Sequence, residues 1–236
     1  MSYDLLDEPG MTLGVNFCFQ DMKYTEILDV VQQYVERFYD AKEDSTLTFH
    51  NFAHTHDVVT HAAKMAHHYG LEDRDTFIVV AAAWFHDTGY YTGEANGHEQ
   101  RGADMAAGFL KNLGVREDLI QEIHKCIMAT VMPQKPENLL QQIMCDADLY
   151  HFGTEQFSER NMLMQEEVER KTGCKIDSGN WRKATICLLE SHFFKTGYGR
   201  ELLEYGKRKN LERLKRKERR GVLAKMHSHN PCIGDS

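Results

Sequence analysis

The feature that most constrains the fold is a continuous apolar run, Phe77 to Phe85, which ends directly in His86 and Asp87. The run, FIVVAAAWF, is apolar on every side, as expected for a helix buried in the centre of a domain. It is too short to cross a bilayer, which takes about 20 apolar residues. A histidine and an aspartate placed after such a run are costly to bury without partners. Both are therefore candidate functional residues.

Helical periodicity describes most of the remaining chain, and no segment has a convincing strand pattern. The chain has only 4 prolines, which favours long helices over a turn-rich design. We therefore predict an all-α bundle with additional C-terminal helices. Besides the apolar run, helices are expected over residues 23–39, 55–70, 97–114, 116–132, 138–153, 155–170, 181–195 and 200–220.

Charge and composition limit the compartment and the partners. The net charge of -8 argues against a nucleic-acid partner, because neutralising phosphates requires a basic surface. Residues 207–220 differ, with a net charge of +7. Such a run is usually a solvated helix, although it could dock on the acidic body of the same or another subunit, which leaves a homodimer open. No segment resembles a secretory signal and the six cysteines form no C-x-x-C pair, so we expect a cytoplasmic protein without a membrane partner.

Further ligand-type residues occur at two other places in the chain. His50 and His54 lie four positions apart in FHNFAHT, and Asp146 and Asp148 end an apolar stretch in MCDADLY. If His54, the His-Asp pair and one of these aspartates converge, the site has two imidazoles and two carboxylates. That set suits Mn, Fe, Co, Ni or Zn better than Ca, with Mg as a further option. Such a metal can acidify water and polarise a phosphoryl oxygen, which is the chemistry of metal-assisted hydrolysis.

The order of these residues resembles the H…HD…D signature of the HD-domain metal-dependent phosphohydrolases, over residues 48–153. FHNFAHT is also similar to the YHNxxH motif of the class I cyclic-nucleotide phosphodiesterases, and CDADL to their CADL. The resemblance implies a single HD-type helical domain, which we expect at residues 23–225. It would lie between an N-terminal arm at 1–22 and a C-terminal tail at 226–236.

The resemblance also implies the metal ligands. They are His54, His86, Asp87 and Asp148, with Asp148 preferred to Asp146 because it holds the ADL position. Asp146 then becomes an acid that supports the site or the end of its helix. The implied activity is hydrolysis of a nucleotide-like phosphate mono- or diester by metal-activated water.

Two catalytic roles are expected, the first of them from the same resemblance. His50 corresponds to the histidine that protonates the leaving oxygen in the phosphodiesterases, a role suited to an imidazole. An exposed histidine beside Asn51 remains an equal alternative. Asp87 could also orient or deprotonate the attacking water.

The number of metals depends on two further histidines. His98 has the location of an additional histidine of binuclear HD proteins, whereas the helix of His124 ends its apolar face in Thr130. We therefore expect one metal per chain, with His98 and Arg101 facing the substrate. Arg101 follows His98 by three positions and could contact a phosphate. Two alternatives stay open: a di-iron HD-type oxygenase that uses His98 and His124, and a non-catalytic module that senses a nucleotide.

Overall fold

The computed structural model describes residues 23–42 and 44–228, with side chains described as far as residue 221. Within these ranges the chain forms ten α-helices, two short 3-10 turns and no strand, so the predicted all-α class is confirmed. The helices are α1 (Tyr24–Ala41), α2 (Phe52–His68), α3 (Asp73–Phe85), α4 (His98–Asn112), α5 (Glu117–Met128), α6 (Leu139–Asp148), α7 (Phe157–Thr172), α8 (Ser178–Ser191), α9 (Gly197–Leu202) and α10 (Glu204–Ser228).

Helix α3 is the central element of the bundle. It packs against α1, α2, α4, α5 and α6. Every residue from Phe77 to Phe85 is buried, which is why this stretch is apolar on all sides rather than on one stripe. His86 is the C-cap of the helix, so the end of the most buried helix delivers the His-Asp pair into the interior.

The C-terminal region differs from its prediction at two points. The helix predicted as far as residue 195 ends at Ser191, and the segment predicted as one helix over 200–220 is divided between α9 and α10. The cause of the first difference is Asp146, which is fully buried. Its carboxylate accepts the backbone N–H of Lys195 at 2.7 Å and both the N–H and the hydroxyl of Thr196, at 2.8 Å and 2.7 Å. Asp146 thus fastens the start of α9 to the end of α6.

The predicted arm at residues 1–22 lies outside the described residues, as does most of the predicted tail at 226–236. The limits of a single domain at 23–225 stay a prediction. Across the described ranges, no helix has the length and apolar character that a membrane crossing requires.

A small aromatic cluster around His192 makes a testable contribution to stability. The imidazole is 7% exposed and lies edge-on between Phe152 and Phe194, with ring centroids 5.1 Å and 4.8 Å away. Burial, helped by Lys207 and Lys195, lowers the pKa of His192 from 6.5 to about 3. The folded protein therefore keeps this ring neutral at pH values where the unfolded chain protonates it. Unfolding takes up a proton between about pH 6.5 and pH 3, so the free energy of unfolding falls as the pH is lowered.

We expect the free energy of unfolding of His192→Phe to fall less steeply than that of the wild type as the pH is lowered below about 6.5. At pH 5 the variant should recover about 1 to 2 kcal/mol of unfolding free energy relative to the wild type, and nothing at pH 8. Urea unfolding in the presence of a chelator measures both values. His67→Asn is the control, because His67 is exposed on α2. If the free energy of unfolding falls equally with decreasing pH in the wild type and in His192→Phe, the lowered pKa of His192 does not cause the acid dependence.

Candidate metal centre

The ends of three helices meet at one place in the interior. His54 lies in the first turn of α2, where Asn51 caps the helix by accepting the His54 backbone N–H at 3.2 Å. His86 and Asp87 follow the last residue of α3, and Asp148 is the last residue of α6. The first turn of α2 and the last residues of α3 and α6 therefore carry ligand-type side chains, and the packing of the bundle brings them together.

Distances within this cluster suit a single cation. One ring nitrogen each of His54 and His86 and one oxygen of Asp148 all lie within 4.8 Å of one another, an arrangement that could hold a metal ion. Asp148 Oδ1 lies 3.4 Å from His54 Nε2, and Asp87 Oδ2 lies 3.3 Å and 3.1 Å from the Nε2 atoms of His54 and His86. The structure thus brings together all four predicted ligands, whose roles stay a prediction.

Three ligand atoms of the cluster are buried and have no hydrogen-bond partner among the described residues: His54 Nε2, His86 Nε2 and Asp87 Oδ2. A hydrogen bond from the other ring nitrogen of His86 to Ala83 O, at 2.8 Å, holds Nε2 towards the cluster. Orphaned buried polar atoms are rare because each costs free energy unless a partner satisfies it. Here the three atoms lie close together, with Asp87 Oδ2 within 3.3 Å of both ring nitrogens, and their chemistry fits a divalent transition metal.

Ionisation within the cluster also favours a cation. Burial alone would lower the pKa of His54, but Asp148 and Asp87 outweigh it and raise the pKa to about 9. Burial alone would raise the pKa of Asp87, but His86 and His50 outweigh it and hold the pKa well below its usual range. The carboxylates therefore stay ionised and stabilise positive charge at the centre. A metal would supply that charge in place of protons.

A second group of polar side chains, around His50, lies beside the cluster. His50 is 8% exposed, so the alternative of an exposed histidine is wrong. Its Nδ1 lies 2.5 Å from Glu167 Oε1, and its ring stacks on Tyr90 with centroids 3.9 Å apart. Tyr90 stacks in turn on His98, whose Nε2 lies 3.5 Å from Asp87 Oδ1.

Glu167 is the site residue that the sequence did not indicate. It is 4% exposed on α7, and its Oε2 also accepts the backbone N–H groups of Phe49 and His50, at 2.8 Å and 2.9 Å. Burial alone would raise the pKa of Glu167, but the hydrogen bond from His50 outweighs it and lowers the pKa. In sequence this residue stands within QEEVERK, where nothing distinguishes it from the neighbouring surface glutamates.

The predicted substrate residues have different surroundings. His98 lines the cavity next to the cluster, whereas Arg101 is not among the described lining residues. The Arg101 guanidinium donates to the backbone carbonyls of Gly89, Glu94 and Asn96, and so fastens the loop before α4. The role predicted for Arg101 in substrate binding stays a prediction, but these contacts favour a structural role.

His124 and Thr130 bear on the number of metals. His124 Nε2 lies 3.2 Å from the side-chain amide of Gln100, and the residue is not among the described residues that line the cavity. Thr130 does line the cavity, and its hydroxyl donates to the Ile127 carbonyl at 2.7 Å. These positions favour one metal over a di-iron centre completed by His124.

The cavity has a volume of about 220 Å³ and reaches the cluster at Asp87 and Asp148. Its polar wall includes His50, Tyr90 and His98. Its other walls come mainly from α6 to α8 and the connections between them, together with Phe49 before α2 and Met132 between α5 and α6. The apolar lining residues are Phe49, Met132, Leu149, Phe152, Met164 and Leu188. Apolar walls with a few convergent polar groups are typical of small-molecule sites.

Comparisons with known proteins agree with this arrangement. Residues 51–153 match the family model of the HD domain, which confirms the resemblance over that segment. A predicted HD superfamily hydrolase from an uncultured Thermotogales bacterium superposes with a TM-score of 0.54 at 20% identity, covering 87% of this chain and 99% of its own. Bacillus subtilis YpgQ, in complex with ADP, superposes with a TM-score of 0.55 at 16% identity, covering 90% and 99%. No curated protein matches the chain. Residues 51–153 therefore match the HD domain, and the chain has the fold of these two solved structures, one of them a predicted HD superfamily hydrolase.

Proposed function

We propose that the protein is a metal-dependent phosphohydrolase that acts on a nucleotide-like phosphate mono- or diester. The observation that carries the proposal is the proximity of three buried ligand atoms that lack a hydrogen-bond partner among the described residues to the carboxylate of Asp148. His54, His86, Asp87 and Asp148 would hold one divalent metal. When bound, it supplies an acidified water and polarisation of a phosphoryl oxygen.

The side chains beside the cluster have separate tasks in this proposal. Glu167 holds His50 by Nδ1, which leaves Nε2 as the nitrogen that can give a proton to the leaving oxygen. Tyr90 fixes the plane of the His50 ring by stacking. His98 faces Asp87 Oδ1 and can donate to a phosphoryl oxygen that enters between them. The apolar walls limit the access of bulk water to the reacting groups.

Two observations support a nucleotide-like substrate. The apolar walls of the cavity include the rings of Phe49 and Phe152, surfaces on which a base can pack. The structural neighbour YpgQ is in complex with ADP. The test incubates nucleoside mono-, di-, tri- and cyclic phosphates with Mn²⁺, Co²⁺, Mg²⁺ or chelator and measures both released phosphate and the nucleoside or nucleotide product, because opening a cyclic phosphate gives a monophosphate and no free phosphate. Turnover that requires metal supports the proposal. Tight nucleotide binding without any product would replace it with the sensing module.

We expect Glu167→Gln to lower kcat about 10-fold for nucleotide substrates, because His50 loses its charged acceptor and its fixed orientation. The same variant should hydrolyse a nitrophenyl ester almost normally, since nitrophenolate leaves without a proton. The two kcat values, measured with the metal content held equal, check the prediction. Glu166→Gln is the matched control, because the Glu166 side chain, adjacent on α7, is 45% exposed. Equal losses on both substrates would contradict a role through His50.

A further inference from the structure

Helix α7 contributes one permanent cation to the cavity. Among the described residues that line the cavity, Arg160 is the single Lys or Arg side chain, whereas Asp87, Glu99 and Asp148 are carboxylates. A metal would offset part of that negative charge at the cluster. Arg160 would then be the one permanently charged side chain of the described cavity lining that attracts an anionic substrate.

Most of the hydrogen-bonding capacity of Arg160 is unused. The side chain is 16% exposed and its guanidinium donates to one residue, Asp57 on α2, whose side chain is 53% exposed. A guanidinium has five N–H donors, and the others have no hydrogen-bond partner in the described part of the chain. Because Asp57 is exposed to water, loosening this ion pair costs little free energy.

The adjacent residue, Asn161, has its amide oriented by its surroundings. Trp181 Nε1 donates to Asn161 Oδ1 at 3.2 Å, and Thr185 Oγ1 lies 3.2 Å from the same oxygen. Since an indole N–H can only donate, this contact assigns the oxygen and leaves the amide NH₂ on the other side. That NH₂ has no partner among the described side chains or backbone, and Asn161 lines the cavity.

We propose that Arg160 and Asn161 form a second anion subsite, which binds a phosphate of the substrate other than the one at the metal cluster. Among the described residues, Arg160 forms its ion pair with Asp57 and none with Asp87 or Asp148, so its charge is not neutralised by the carboxylates of the cluster. The subsite lies beyond residues 51–153, which match the HD domain. The inference rests on the proposed function, and it makes the preferred substrate a compound with two linked phosphates, such as a nucleoside di- or triphosphate.

The test compares methylenediphosphonate, which resists hydrolysis, with methylphosphonate. Calorimetric titrations use the full chain, loaded with one equivalent of Mn²⁺ and dialysed. Arg160→Gln should weaken methylenediphosphonate binding about 10- to 100-fold, because a charge-assisted contact is lost, and should change methylphosphonate binding much less. Asn161→Asp, which replaces the donor with a negative charge, should act in the same direction.

Asp57→Asn is the matched control for Arg160. It removes the same ion pair but frees the guanidinium, so methylenediphosphonate should bind as tightly as in the wild type or more tightly. Unchanged affinity in Arg160→Gln would overturn the subsite. Equal weakening in Arg160→Gln and Asp57→Asn would also overturn it, because the ion pair would then be structural.

The subsite and the proposed function fail separately in these experiments. Metal binding and phosphate release with no effect of Arg160→Gln on methylenediphosphonate affinity would overturn the subsite alone. A wild-type protein that binds methylenediphosphonate through Arg160, yet forms no hydrolysis product from any nucleotide, would overturn hydrolysis alone.

Discussion

His86→Ala and Asp148→Asn proteins are each expected to lose the bound metal and nearly all phosphate release. Both variants remove one of the atoms that converge on the cluster centre. The metal contributes several kcal/mol of transition-state stabilisation in this chemistry, so activity should fall on the order of 10³-fold or more. Metal content by mass spectrometry and phosphate release by the same samples measure the two effects.

Asp148→Asn separates loss of the metal from loss of folding, because it conserves the shape of the side chain, which is 18% exposed. His86 is 1% exposed, so His86→Ala leaves a cavity, and its helical circular dichroism must be compared with that of the wild type. His56→Ala is the control, since His56 lies two positions after His54 but is exposed. Folded variants that keep stoichiometric metal would show that the cluster is not the metal site.

The second large effect is expected for His50→Asn. General acid catalysis contributes about 10²- to 10⁴-fold, so kcat for nucleotide substrates should fall by a factor in that range while the metal content stays unchanged. With a nitrophenyl ester the loss should shrink to a few-fold, because nitrophenolate needs no proton. The ratio of the two losses separates proton donation from a general disturbance of the site.

Comparison with Glu167→Gln sharpens this assignment. If Glu167 acts only through His50, the double variant should be no slower than His50→Asn alone, because positioning a residue that is absent has no effect. Losses that multiply in the double variant would give Glu167 a separate role. A His50→Asn protein with the kcat of the wild type would remove His50 from the catalytic proposal.

The fold was predictable from sequence because its main signals are local. An apolar run without a polar face indicates a central helix, and periodic apolar residues indicate the helices around it. The limits of α1, α2, α4 and α7 agree with the predictions within about three residues, whereas the helices predicted to end at 132 and 153 end at Met128 and Asp148. At residues 192–195, which were wrongly predicted to be helical, the cause of the difference is a contact of Lys195 and Thr196 with Asp146, which is distant in sequence. Periodicity carries no information about such a contact.

The convergence of the cluster could also be anticipated. His86, Asp87 and Asp148 each follow a buried apolar stretch, and this position makes a polar side chain conspicuous. Glu167, Arg160 and Asn161 lie on α7, a helix rich in charged residues. A charged residue that turns inward there looks the same in sequence as one that faces water. For Arg101 the spacing from His98 predicted a contact with the substrate. In the structure the Arg101 guanidinium donates to backbone carbonyls of the loop before α4, and helical spacing gives no indication of those contacts.

The most direct test of a mononuclear metal-dependent hydrolase is phosphate release during stepwise addition of Mn²⁺ to the metal-free protein. The substrate is the best nucleotide of the panel, and the protein concentration is far above the metal dissociation constant. We predict that the rate rises linearly and stops rising at one equivalent per chain. A break at two equivalents would contradict the single-metal site. Release that is the same without metal, or absent at every addition, would contradict the proposed function itself.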